Sequence, residues 1–339
     1  MDFFSLSPKS FGLDISDSSL RIINLKEKKE FLTLVSWGEV NLEDGIVQNG
    51  EIIDEEKFIK ALQKLIKNIN GEKLKIKNAV VSLPENKSFL GVIQMPKLEG
   101  DELKEAVFIE AENYIPLPLE EIYLDFETIK PVKNHLDHLD ILIMACFKKI
   151  VDRYLSCLNK SGIKVRVFES KSQAIVRALI ENGLSIYPLL IIDLNRDISN
   201  FIIFSGYSLR FSSSYSFHFQ DFNKNQLENI KNNSYLLSFF SNISEEIKKY
   251  LDYYQNHLGH EHLSKEEKKI EKILLCGEMA NIKGLVDFFS SSLKMPVEIA
   301  NPWINVFHKK LKEIPQISFD ESLKYTTAFG LALRGILKN

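Results

Sequence analysis

FGLDISDSSLRIINL, residues 11–25, and LLIIDLNRDISNFIIFSG, residues 189–206, share one pattern. Each is an apolar strand ending in an aspartate, Asp14 or Asp193, then a short polar turn and a second apolar strand. Backbone N–H groups that converge within such a turn make an anion nest. An aspartate at the strand end can hold a hydrated Mg²⁺ against that anion. Two such hairpins, set about half a chain apart and facing across a cleft, can grip the phosphates of one nucleotide. For either loop alone the plainer reading is an aspartate that caps a tight turn. The pairing is what argues for a site.

The chain around these loops is that of a folded globular protein. Its 339 residues predict two or three domains, and 45% hydrophobic with 26% charged residues is ordinary. A net charge of −3 gives no reason to expect nucleic acid as a partner. The longest apolar runs, 141–147 and 188–194, fall far short of the roughly 20 residues of a membrane helix. No basic stretch followed by an apolar one marks a signal peptide. Cys146, Cys157 and Cys276 are not motif-spaced and read as small core residues, with the cytoplasm as default compartment.

Periodicity predicts strands over 15–25, 31–40 and 78–83, with a helix over 55–69 carrying Phe58, Leu62, Leu65 and Ile66 on one side. A strand, a helix over 101–114, two strands and a helix over 150–160 follow, a βαββα insert. The chain then returns with a strand at 165–169 and a helix at 172–180. The second half opens at 187 with three strands. The stretch 221–242 is rich in Asn and Ser and reads as a loop with a marginal helix. Ser244 is the expected N-cap of a helix over 244–257, ahead of Glu245 and Glu246. A buried strand over 270–276, a helix over 282–293 and a last helix over 322–337 complete the pattern. The expected divisions are 1–86 with 161–186 as the first half, 87–160 as the insert, 187–320 as the second half, and 321–339 as a C-terminal helix packing on the first.

Five stretches resemble the PilM family, the actin-like proteins of type IV pilus assembly. They are the two hairpins, the run from Val80 with YIPLPLEEIYLDF (114–126) as its most specific part, SEEIKKYLDYYQ from Ser244, and NPW (301–303) with YTTAFGLALRGI from Tyr325. The resemblance implies an α/β, actin-like ATPase fold: two duplicated ribonuclease-H-like halves plus a small βαββα subdomain of the FtsA type. It implies a scaffold at the cytoplasmic side of the inner membrane. Such a scaffold binds the N-terminal tail of a PilN-type membrane protein in a groove between first half and insert, and links it to a pilus motor ATPase or platform protein. Direct membrane insertion is not expected, and self-association stays open.

The resemblance also assigns a nucleotide site for ATP and Mg²⁺. Asp14 and Asp193 would hold the metal through water, with Ser16, Ser18, Ser19, Arg21, Asn195 and Ser199 near phosphate. Glu246, Lys249, Gly277, Glu278, Met279 and Lys283 would lie near the nucleoside. The chain departs from the family pattern at Ser16 and Asn195, where glycine is usual, and at Glu278 and Met279, which interrupt a run of three glycines. Tyr250 stands where a small residue is usual. These changes weigh against nucleotide, and no residue reads as a dedicated water activator, so turnover is not expected. The alternative is an FtsA-like ATPase that polymerises or hydrolyses ATP to organise membrane machinery; a sugar or acetate kinase would need a catalytic aspartate that the sequence does not offer. His257, His260 and His262 read as an exposed helix end, His135 and His138 as surface residues, and Lys309, Lys310 and Lys312 as a solvated face.

Overall fold

The computed structural model describes residues 9–28, 31–131, 137–216, 229–258, 269–307 and 315–336. His135, His260, His262, Lys309, Lys310 and Lys312 lie outside the described residues. In the first half, β1 (Phe11–Ile15) pairs antiparallel with β2 (Ser19–Lys28), and β2 with β3 (Phe31–Asn41). A small hairpin, β4 (Val47–Gln48) and β5 (Glu51–Ile52), leads to α1 (Glu55–Lys67) and the short β6 (Asn70–Gly71). β7 (Asn78–Leu83) then joins β1 in parallel. An intervening stretch carries β8 (Ser88–Pro96), α2 (Gly100–Ala111), β9 (Ile122–Thr128), β10 (His138–Phe147) and α3 (Lys148–Lys160). β11 (Lys164–Ser170) returns beside β7, giving the sheet order β11-β7-β1-β2-β3-β6.

α4 (Lys171–Leu179) leads into the second half, which holds β12 (Ser185–Asp193), β13 (Ile198–Gly206), β14 (Ser208–Ser216), α5 (Ser234–Tyr253), β15 (Lys272–Cys276), α6 (Leu285–Leu293) and β16 (Val297–Ile299). The short α7 (Phe319–Ser322) and then α8 (Thr326–Arg334) follow. The second sheet runs β14-β13-β12-β15-β16. In both sheets the first strand lies between its antiparallel hairpin partner and a later parallel strand. The repeated sequence pattern is thus a repeated topology.

α4 and α8 lie between the two sheets. One apolar cluster joins Ile23 and Leu25 of β2, Ile175 and Leu179 of α4, Phe329 and Leu333 of α8, and Leu189 and Ile191 of β12. Covered on both faces, β1 and most of β12 and β13 are continuous buried runs, as strands with helices on each side must be. The helices approach closely because of a glycine: a Cβ on Gly330 would come 1.7 Å from the carbonyl oxygen of Ala174. Trp303, of the NPW motif, fills the same cluster, stacked on Phe307 at 4.9 Å and edge-on to Phe329 at 4.5 Å.

Two sequence expectations change. The last helix of the 87–160 insert, α3, turns Ile150, Tyr154, Cys157 and Leu158 into the first half's outer core beside Phe11, Leu13 and Phe58. The Tyr154 hydroxyl donates to the carbonyl of Gly50 at 2.9 Å. The separate core under the three-stranded sheet β8-β10-β9 uses α2 alone, through Leu103, Val107 and Ala111. A helix's apolar stripe does not declare which sheet it meets. The second change is α5, which starts ten residues before Ser244. Asn233 is its N-cap, accepting from the N–H groups of Tyr235 and Leu236, and Ser244 is buried mid-helix. Leu236, Phe240, Ile243, Ile247 and Leu251 form its buried stripe, so tertiary burial outweighs the poor helix propensity of the neighbouring Ser and Asn. His138, read as a surface residue, has a side chain only 13% exposed, with Nδ1 2.8 Å from Asp137 Oδ1. All three cysteines are buried and free.

Candidate functional site

The β1–β2 and β12–β13 turns face each other, as the twin hairpins predict. Asp14, Ser16, Ser18 and Arg21 line one cavity with Asp193, Asn195, Asp197, Asn200 and Glu278. The cavity measures 40 Å³, room for about three water molecules.

Each turn satisfies its own backbone. Ser16 N donates to the Ser19 carbonyl at 2.9 Å, and Ser19 N donates to Ser16 Oγ at 3.0 Å. The Ser16 hydroxyl thus takes an amide that a phosphate would need. Neither Ser16 nor Asn195 has a positive φ, so these turns do not require the glycine found elsewhere in the family. Asp17 accepts from Asn49 N and Gly50 N at 2.6 and 2.9 Å, pinning the small hairpin. Ser18 and Asp197, one from each turn, line the same cavity.

The two aspartates sit in different electrostatic surroundings. Asp14 Oδ1 is 3.0 Å from Lys171 Nζ and accepts from Ser82 Oγ at 2.9 Å. Burial pushes its carboxyl up, but the Lys171 ammonium and the Arg21 guanidinium outweigh that and hold it below the usual range. Asp193 accepts from Asn195 Nδ2 and Asn200 Nδ2 at 2.8 and 3.0 Å, and Cys276 Sγ lies 3.8 Å away. Burial raises its carboxyl above the usual range, because Lys171 and the two amides offset only part of the desolvation. Lys171 opens α4 directly after β11.

A chain of charges crosses the cleft above them. Lys324 pairs with Glu39 at 2.5 Å and Glu39 with Arg21 Nε at 2.7 Å. Arg21 also meets Glu278 at 2.7 Å, and Glu278 meets Arg196 at 2.6 Å. Arg21 and Glu39 belong to the first half, Glu278 and Arg196 to the second. Despite burial, Glu39 and Glu278 push the Arg21 guanidinium higher still.

The other residues that the resemblance assigns to the nucleotide lie outside this cavity. Ser199 is fully buried on the far face of β13, because residues 198 and 200 are those that line the cleft. Glu246 and Lys249 pair with each other at 2.6 Å on α5. Met279 is buried in the second half's core. Lys283 is exposed, and its carbonyl accepts from Ile230 N. Gly277 is glycine for the protein's own sake: at φ +91 a Cβ would sit 2.4 Å from the Leu194 carbonyl oxygen. Tyr250 lies against Phe201 at 5.0 Å and Phe211 at 5.6 Å, with its hydroxyl 3.1 Å from Ser213 Oγ.

Lys171, Glu39, Lys324, Arg196, Asp197 and Asn200 were not legible as site residues. Strand order could have found Lys171, since β11 ends beside β7 and β7 beside β1. Pairs such as Arg21–Glu278, 257 residues apart, leave no local signal. As arranged, the residues do not fit a magnesium nucleotide: Arg21, Lys171 and Lys324 are already paired with carboxylates of the chain, and the space is too small.

The type IV pilus assembly protein PilM family model matches residues 12–188 and 210–336. Among solved structures, the chain is similar to one from a PilM-PilN type IV pilus biogenesis complex. The identity is 20%, with 98% of this chain and 100% of that one covered and a TM-score of 0.78. It is also similar to the ethanolamine utilization protein EutJ from Carboxydothermus hydrogenoformans, at 11% identity, 96% and 89% coverage and a TM-score of 0.53. The duplicated sheets with two helices between them are the actin-like fold those structures share. This chain belongs to the PilM family of type IV pilus assembly proteins.

Proposed function

We propose that the protein is the cytoplasmic scaffold of a type IV pilus inner-membrane platform, clamping the N-terminal tail of a PilN-type membrane protein and linking it to the pilus motor or platform protein. It reaches the membrane through that partner; no helix among the described residues is long and apolar enough to cross one. The observation that carries the reading is the seam between the first half and the insert, in a chain of this family. On one side α3, seated on the first half, presents Leu155 at 37% exposed; on the other β9, the edge strand of the insert, presents Tyr123 at 49% exposed. The seam is held by Tyr123 hydroxyl to Asp152 at 3.1 Å and by Lys148 over the Tyr123 ring at 5.8 Å. Exposed apolar side chains beside an unpaired strand edge are what an extended peptide uses for affinity and register. Nucleotide is no part of this reading.

The test is calorimetric titration of the full chain with a synthetic N-terminal tail of the PilN-type protein of the same genome. One-to-one binding is expected, weakened about tenfold or more, roughly 1.4 kcal/mol, by Tyr123→Ala or Leu155→Asp. No heat from folded protein, or binding untouched by both substitutions, would refute the proposal.

A further inference from the structure

We infer that Glu278 and Lys171 stand where a nucleotide's phosphate and its divalent cation would stand, so that this chain keeps its cleft shut with its own charges and takes up no magnesium nucleotide. This goes beyond the scaffold reading and does not depend on it.

The Glu278 carboxylate supplies what an anion at this place would supply. One oxygen is 2.7 Å from Arg21 Nη2 on β2 of the first half, and the other is 2.6 Å from Arg196 Nε on the β12–β13 turn. A carboxylate held by guanidinium groups from both sides is a strong, directional pairing, of the kind that phosphate also makes. Arg21 is already shared between two carboxylates, its Nε on Glu39 and its Nη2 on Glu278, and its side chain is only 5% exposed. On the cation side, Lys171 Nζ lies 3.0 Å from Asp14 Oδ1, and its charge also acts on Asp193. The ammonium thus takes the charge-balancing place of a cation at Asp14 and only partly screens Asp193, and being part of the chain it cannot leave.

The remaining contacts agree. Glu85, following β7, accepts hydrogen bonds from Ser172 Oγ at 2.6 Å and from Ser212 Oγ of β14, a second bridge between the halves. The lining holds Asp14, Asp17, Glu85, Asp193, Asp197 and Glu278 against Arg21, Lys171 and Lys324, an acidic excess that repels a triphosphate. The 40 Å³ left between them compares with the roughly 300 Å³ or more of a small-molecule site.

Three measurements on the full chain test this. First, the wild type is titrated with a fluorescent ATP analogue in excess Mg²⁺; no saturable binding is expected up to about 1 mM, and micromolar binding would overturn the inference. Second, amide hydrogen exchange is followed without nucleotide in the wild type and in Glu278→Gln, which keeps the shape and removes the charge. Segments 14–21 and 194–200 are expected to exchange about tenfold faster in the variant, with the outer cores unchanged. Equal exchange in the two proteins would show that Glu278 does not hold the cleft and would overturn the inference. Third, Glu278→Gly frees Arg196 and the Nη2 end of Arg21, and pyrophosphate binding at least about tenfold tighter than in the wild type is expected; no gain in a folded variant would overturn the inference.

Discussion

Asp14→Asn and Asp193→Asn, the same change at equivalent ends of β1 and β12, are expected to differ in sign. Asp14 and Lys171 form a buried pair, with side chains 6% and 13% exposed. Asparagine at 14 keeps the Ser82 hydrogen bond but leaves the ammonium short of its counter-ion. Breaking such a pair costs about 3–5 kcal/mol, and Asp193 nearby returns part of it, so about 2–3 kcal/mol is expected. Asp193 has no ion pair within 4 Å among the described residues and leans on two amide donors. An asparagine oxygen still accepts from those amides, and the buried charge is gone. Asp193→Asn is therefore expected to fall within about 1 kcal/mol of the wild type, on the stabilising side.

The assay is urea unfolding followed by far-ultraviolet circular dichroism at pH 7 and pH 5. Asp14 titrates below its ordinary 3.8 in the folded state, so its stabilisation is present above about pH 4 and is lost only as pH falls through the lower folded value. Asp193 titrates above 3.8 when folded, so its ionised form costs stability at neutral pH, and the cost fades as pH falls toward the raised value. The gap between wild type and Asp193→Asn is thus expected to narrow as pH falls toward that raised value, while the Asp14→Asn deficit persists above about pH 4. Equal destabilisation by both substitutions at pH 7 would refute the reasoning, since it would mean that both carboxylates have the same cationic partner.

Gly330→Ala forces a methyl group to 1.7 Å from the Ala174 carbonyl, so α4 and α8 must separate; a loss at the upper end of the usual 1–3 kcal/mol for overpacking, about 3 kcal/mol, is expected by thermal unfolding. Asn233→Ala removes the cap of α5 and is expected to cost about 1 kcal/mol, read by urea titration, whereas Ser244→Ala, at the position that the sequence favoured as cap, is expected to leave the helix start unchanged in hydrogen exchange.

The twin hairpins, the strand order they imply and the cleft between them were legible in the sequence, because a strand's burial and a turn's polarity are written within about ten adjacent residues. Ser16 and Glu278 were also legible as departures from the family's glycines. The sequence did not disclose what those departures do. Ser16 caps its own turn through a hydroxyl that reaches Ser19, and Glu278 finds two arginines, one of them 257 residues away. Met279, counted beside it as a neighbour of the ligand, faces the core instead. The same limit placed α3 with the insert and hid Lys171. Local pattern fixes which residues are apolar, which turn and which carry charge. Only the packing of two sheets on α4 and α8 decides which charges end up within 3 Å of each other, because burial in a shared interface depends on contacts that no window along the chain contains.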